Sequence, residues 1–172
     1  MKLFQKKALR ILLLSVPFVA TMMMGCSDSV SVMSGEEPLS ATTSATPLKR
    51  FWNGTVADHY YSRWPSPPSG YVFECNEGYV FSSSETGTIP LYQYYSAGGT
   101  DHFYSTTYYP DLSGYEFQGT VCYVYDSYAP GRLSLYRWWS LGGADHFYTT
   151  SYHLTIPGYV YEGIACWVKT SQ

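Results

Sequence analysis

Beyond residue 48, apolar and polar positions recur with the two-residue period of a pleated strand, and no stretch carries the 3.6-residue period of an amphipathic helix. Residues 91–125 show the pattern most clearly. "LYQYY", Leu91–Tyr95, is a short run of aromatic and branched residues that ends in the Gly-rich "SAGGT". "DHFYSTT" resumes the run, "YYPDLSG" interrupts it, and "YEFQG" and "VCYVY", Val121–Tyr125, complete it. Aromatic and β-branched residues suit a half-buried pleated surface, while Gly, Pro, Ser and Asp suit the turns between strands. In "YEFQ" the period of two places Tyr115 and Phe117 on one face and Glu116 and Gln118 on the other. The pattern predicts about four short strands in this segment.

The same segment is written three times. "DHYY", "DHFY" and "DHFY" begin at Asp58, Asp101 and Asp145, spaced 43 and 44 residues apart. "GYVF", "GYEF" and "GYVY" begin at Gly70, Gly114 and Gly158, and Leu48, Leu91 and Leu135 each precede the Asp by ten residues. An aromatic pair stands at one place in each copy: Phe51-Trp52, Tyr94-Tyr95 and Trp138-Trp139. Adjacent strand residues face opposite ways, so one of each pair is expected in the core and the other outside it or against a neighbouring unit. Repeats of about 48–89, 90–132 and 133–172 make one domain, 48–172. Three units of about four strands match a β-trefoil, with β-prism-like and propeller-like arrangements as alternatives.

The units resemble a family of secreted bacterial and fungal repeats of unknown function. "LYQYYSAGGTDHFYSTT", "LYRWWSLGGADHFYTTS" and "GYVYEGIACWV" carry the likeness: a Leu-Tyr-Arg start, a Gly-Asp-His-Phe-Tyr-Thr-Thr core and a Gly-Tyr-x-Tyr-Glu-Gly end. It spans residues 48–168 and is weaker in the first unit, where "LKRFWNGTVADHYYSRW" lacks the Tyr and the Thr pair and Cys75 replaces a Gly of the ending. Such repeats often sit beside secreted hydrolases, which implies an accessory role such as sugar binding. The resemblance brings no catalytic residues with it. The Gln-x-Trp signature of ricin-type trefoils is absent from the sequence.

The N-terminus has a different character. Lys2, Lys6, Lys7 and Arg10 precede an apolar run, Ile11–Met24, too short for a membrane span. It ends in Gly25-Cys26, which resembles a bacterial lipoprotein signal with Met23 where Leu is usual. The resemblance implies that residues 1–25 are a leader and that Cys26 is lipidated. It also implies attachment to the cell envelope and, with Ser27 rather than Asp after the Cys, to the outer membrane. The Ser/Thr-rich residues 26–47 read as a disordered tether between lipid anchor and domain.

Without the leader, six basic residues remain against 13 acidic ones, a formal net charge of −7. No basic patch is visible, and nucleic acid is not an expected partner. Aromatic content of 19% beside 13% charged residues argues for a packed β domain. Three cysteines remain after Cys26. Cys122 and Cys166 hold equivalent positions, so a disulfide between them is one expectation; service as small core residues is the other.

The Asp-His motif admits two readings. As scaffold, Asp caps a turn and His bridges to a neighbouring unit. As a ligand site, Asp101, His102, Tyr92 and Tyr95 in the second unit, and Asp145, His146, Tyr136 and Trp139 in the third, bind a glycan. Lys49 and Thr55-Val56 then leave the first unit, around Asp58, degenerate. Catalysis needs unlike groups in unlike roles, which three equal copies do not offer, and no nucleophile elbow or His-Glu-x-x-His occurs. A zinc site would need His59, His102 and His146 to share an axis. The expectation is therefore a non-enzymatic, surface-anchored recognition module, carbohydrate-binding, without cofactor or metal. A protein-binding, inhibitor-like lipoprotein acting through "PSPPSG", Pro65–Gly70, and an unrecognised hydrolase stand as alternatives.

Overall fold

The computed structural model describes residues 44–140 and 142–172. The leader and Cys26 lie outside the described residues. Nine strands and no helix occur among those described. They fall into three modules of three: β1 (Thr46–Asn53), β2 (Asp58–Ser62) and β3 (Val72–Val80); β4 (Thr88–Ser96), β5 (Asp101–Ser105) and β6 (Glu116–Tyr125); β7 (Arg132–Ser140), β8 (Asp145–Thr149) and β9 (Tyr159–Lys169). In each module the first strand lies between the other two, antiparallel to both. The hairpin registers match: Trp52 faces His59, Tyr95 faces His102 and Trp139 faces His146.

The chain is all-β, as its pattern predicts, but each module has three strands where four were expected. "YEFQG" and "VCYVY" are one strand, β6. Its pairing with β4 slips twice, between Leu91 and Tyr92 and between Gln93 and Tyr94, and then continues. Gly119 takes φ 119° there and Gly163 takes φ 124° at the same place in β9. A bulge built on such a residue bends a strand without ending it. β1 begins two residues inside the segment read as tether, and Ala45 before it is buried.

The third strands join the modules. β9 pairs with β3 at Tyr79–Lys169 and with β6 at Tyr125–Trp167, so the antiparallel sheet branches at β9 and is not closed into a barrel. Beneath the join lies the core, built from the same positions of each module: Leu48, Leu91 and Leu135; Tyr61, Tyr104 and Tyr148; Val80, Val124 and Val168. Cys122 and Cys166 belong to it, facing Leu91 and Leu135 across the sheet. Both are buried free thiols, so the disulfide expected between them is not formed. Each serves as a small apolar side chain, and burial raises both thiol pKa values, that of Cys166 to about 12.

Candidate functional site

The second strands, β2, β5 and β8, meet at the centre, and each begins with an Asp-His pair. The turns before them owe little to glycine. Ala57, Thr100 and Ala144, which precede the three aspartates, adopt φ 55°, 52° and 49°. The side chains of Asn53, Ser96 and Ser140 accept turn N–H groups at 3.0, 3.3 and 3.1 Å. The first module therefore makes an equivalent turn without the glycine pair.

Every Asp reaches into the next module. Asp58 accepts the backbone N–H of His102 at 2.9 Å and its Nδ1 at 2.6 Å. Asp101 does the same with His146, at 2.7 and 2.6 Å, and Asp145 with His59, at 2.8 and 2.7 Å. A tyrosine of the Asp's own module completes each set: Tyr71 donates its hydroxyl to Asp58, Tyr115 to Asp101 and Tyr159 to Asp145. Burial and the adjacent carboxylate raise the pKa of all three phenols. The outer face of each imidazole is covered by the opposing strand: Trp52, Tyr95 and Trp139 lie against His59, His102 and His146 with ring centroids 4.5, 4.7 and 4.5 Å apart. As the aromatic pairs foreshadow, their partners Phe51, Tyr94 and Trp138 are buried on the other side.

Asp101, His102, Asp145 and His146 are thus brought together as a seam between modules. Asp101 holds His146, while Asp58 holds His102 and Asp145 holds His59, and all four are buried. Tyr95 and Trp139 roof the seam. The first module is no degenerate copy here, because Asp58 holds His102 as firmly as Asp101 holds His146. The histidines do not converge on a zinc position. The groups that converge are the carboxylates of Asp58, Asp101 and Asp145, which offer oxygens within 4.8 Å of one another. They are the residues whose spacing could hold a cation, but each already accepts three hydrogen bonds from protein donors.

Tyr92 and Tyr136 lie elsewhere, on the outer face of their modules. Tyr136 packs against Tyr152 (5.7 Å) and Tyr161 (6.3 Å), and Trp138 against Tyr161 (5.0 Å). With His153 and Leu154 these rings line a cleft of about 90 Å³. Tyr152 is 70% exposed and Leu154 83%. Trp138 Nε1 is buried, and no protein acceptor meets it. A buried donor without a partner is uncommon and costs about 1–3 kcal/mol. Tyr94, which replaces Trp138 in the second module, uses its hydroxyl to accept the N–H of Tyr109 at 2.7 Å. Around it Tyr92, Tyr108 and Phe117 form a similar cluster, with centroids 5.2–6.0 Å apart. The first module puts Lys49 in place of the tyrosine.

Tyr108, Tyr152 and Tyr161 were not singled out from the sequence, and Phe117 was placed only on a strand face. Their signal was there: Trp64, Tyr108 and Tyr152 recur every 44 residues, as do Phe73, Phe117 and Tyr161. All six are exposed. The first set follows the Asp-His strand, in a segment that reads as a connection.

A family model described as a domain of unknown function, DUF5648, matches residues 47–169. The chain belongs to that family. The match covers all three modules. No curated protein and no solved structure matches the chain.

Proposed function

We propose that the protein is a non-enzymatic recognition module that binds carbohydrate through the aromatic clusters of its second and third modules. The cleft of the third carries the reading. Exposed tyrosine faces beside a histidine suit a sugar, whose C–H faces stack on rings and whose hydroxyls accept and donate hydrogen bonds. At about 90 Å³ the cleft suits a ring laid across it better than a ligand enclosed by it. The Asp-His residues serve this reading as scaffold. The absence of a distinct role for any one of the three equivalent pairs speaks against catalysis.

The proposal includes a pseudo-threefold arrangement of the modules about one axis, closer to a propeller than to the closed barrel of a trefoil. The cyclic Asp-His series supports it. It also includes lipid attachment at Cys26 and display on the outer membrane; one acyl chain binds a membrane marginally and several bind stably. Cys26→Ser is expected to release the protein from membranes or leave it with its leader attached. Unchanged processing and retention would exclude the anchor.

A glycan array probed with the full chain tests the ligand class. Tyr152→Ala, at an exposed position, is expected to keep the wild-type melting temperature and weaken the bound glycan at least tenfold. Trp138→Phe, which keeps an aromatic ring, is expected to weaken it less. An array without a bound glycan, or one bound equally by Tyr152→Ala, would overturn the proposal.

A further inference from the structure

A second cleft, of about 170 Å³, lies between the first and second modules and differs in chemistry. Arg63, Trp64, Gln93, Gln118, Thr120 and Ser62 line it, and no carboxylate does. In the other modules the positions of Gln93 and Gln118 hold ion pairs. Arg50 meets Glu74 at 2.8 Å, and Arg137 meets Glu162 at 2.8 Å. Those pairs answer their own charge. The two glutamines leave a neutral, amide-lined opening, and neither amide makes a hydrogen bond within the protein among the described residues.

Arg63 supplies the charge. Its guanidinium lies 4.3 Å above the Trp64 ring, and its Nε donates to the carbonyl of Val121 at 3.2 Å. These contacts fix the plane of the fork, while the terminal nitrogens have no protein partner among the described residues. Lys49 Nζ, 3.4 Å from the carbonyl of Arg63, adds a second cation nearby. On a domain, 48–172, with six basic residues against ten acidic ones, a net charge of −4, this is a local reversal of sign. A planar fork held at one nitrogen and open at the others matches a carboxylate. Flanking amides and hydroxyls match the hydroxyls of a sugar ring, and Trp64, 60% exposed, offers it a face.

We infer that this cleft is a subsite for a carboxylate-bearing sugar, a hexuronate, separate from the aromatic cleft of the third module. The inference rests on the carbohydrate reading of the protein and names the substrate class of a second position.

Calorimetry of the full chain with tri-galacturonic acid, its methyl ester and tri-glutamate tests it. The acid is expected to bind at least tenfold more tightly than the ester, with a preference that shrinks as salt rises. Tri-glutamate is expected to bind at least tenfold more weakly than the acid. Arg63→Gln should abolish the preference for acid over ester. Because that variant also loses the bond to Val121, Gln118→Glu is the second test. It places at an exposed position the carboxylate that the other modules carry, and should abolish the preference without loss of melting temperature. Equal binding of acid and ester, a preference that survives either variant, or tri-glutamate binding as well as the acid would overturn the inference. Neutral glycans still bound in a Tyr152-dependent way would then leave the carbohydrate reading intact. Binding of no saccharide, neutral or acidic, would end both.

Discussion

Each aspartate of the Asp-His motif faces three donors, and in each case two of them belong to another module. Removing one carboxylate therefore strands a backbone N–H, an imidazole and a phenol in a buried place. Leaving a buried donor without its acceptor costs about 1–3 kcal/mol. Asp101→Ala is expected to fall in that range in urea unfolding. Asp101→Ala with His146→Ala should cost less than the two single losses added, with a coupling of about 1–3 kcal/mol. Additive losses, or a stability change below about 1 kcal/mol, would remove the seam from the account. Scaffold and ligand were both open from the sequence because an Asp-His pair has the same letters in either role. What the letters do not carry is register. The partner of each Asp lies 44 or 45 residues on, or 86 back, and that distance is set by how the modules meet. The ion pair of Arg50 and Glu77, buried at 2.5 Å, was illegible for a related reason: Glu77 stands where the other copies carry Val121 and Ala165.

At the scale of the element, strand positions and the repeat were legible because the two-residue period survives in every copy, while the number of strands was not. Gly119 looked like a stop between two strands and is a bulge within one. The sequence records only that a residue free to take positive φ stands there; whether pairing ends or slips depends on the strand opposite. Two glycines of the third strands separate the effects of conformation and space. At Gly119 (φ 119°) a Cβ would meet nothing within 4 Å. At Gly78 (φ 93°) it would lie 2.6 Å from Val168 Cγ2 and 2.9 Å from the carbonyl of Lys169, where β3 meets β9. Gly119→Ala is expected to cost about 1–3 kcal/mol, the strain of left-handed backbone alone. Gly78→Ala adds a clash with backbone and should cost clearly more. Equal melting temperatures for the two would mean that the β3–β9 join contributes little.

At the scale of the molecule, three tyrosines tie the modules into a ring. The Tyr61 hydroxyl donates to the carbonyl of Tyr148 and accepts its N–H; Tyr104 does so with Tyr61, and Tyr148 with Tyr104, at 2.6–3.2 Å. The three rings pack edge to face, with centroids 5.3–5.5 Å apart. No module keeps its centre satisfied without the other two, so the domain should unfold in one transition. Burial, first of all, raises the pKa of these three phenols well above the ordinary value, as it does for Tyr71, Tyr115 and Tyr159. The sign of the pH effect follows. A phenol whose pKa is higher folded than unfolded stabilises fully below the unfolded value, near 10, and loses that contribution as pH rises toward the folded one. The contribution of these phenols to stability should therefore be constant below pH about 9 and fall steeply above about 10. Six of the 19 tyrosines should be silent in a rapid ultraviolet titration and ionise only together with the loss of β structure in circular dichroism. Tyr104→Phe removes one hydroxyl from the ring and leaves the N–H of Tyr61 without its acceptor, at a cost of about 1–3 kcal/mol. It should move the alkaline transition to lower pH as a single step. All 19 tyrosines titrating freely while the β signal persists, or a transition that splits in two, would show that the ring does not couple the modules.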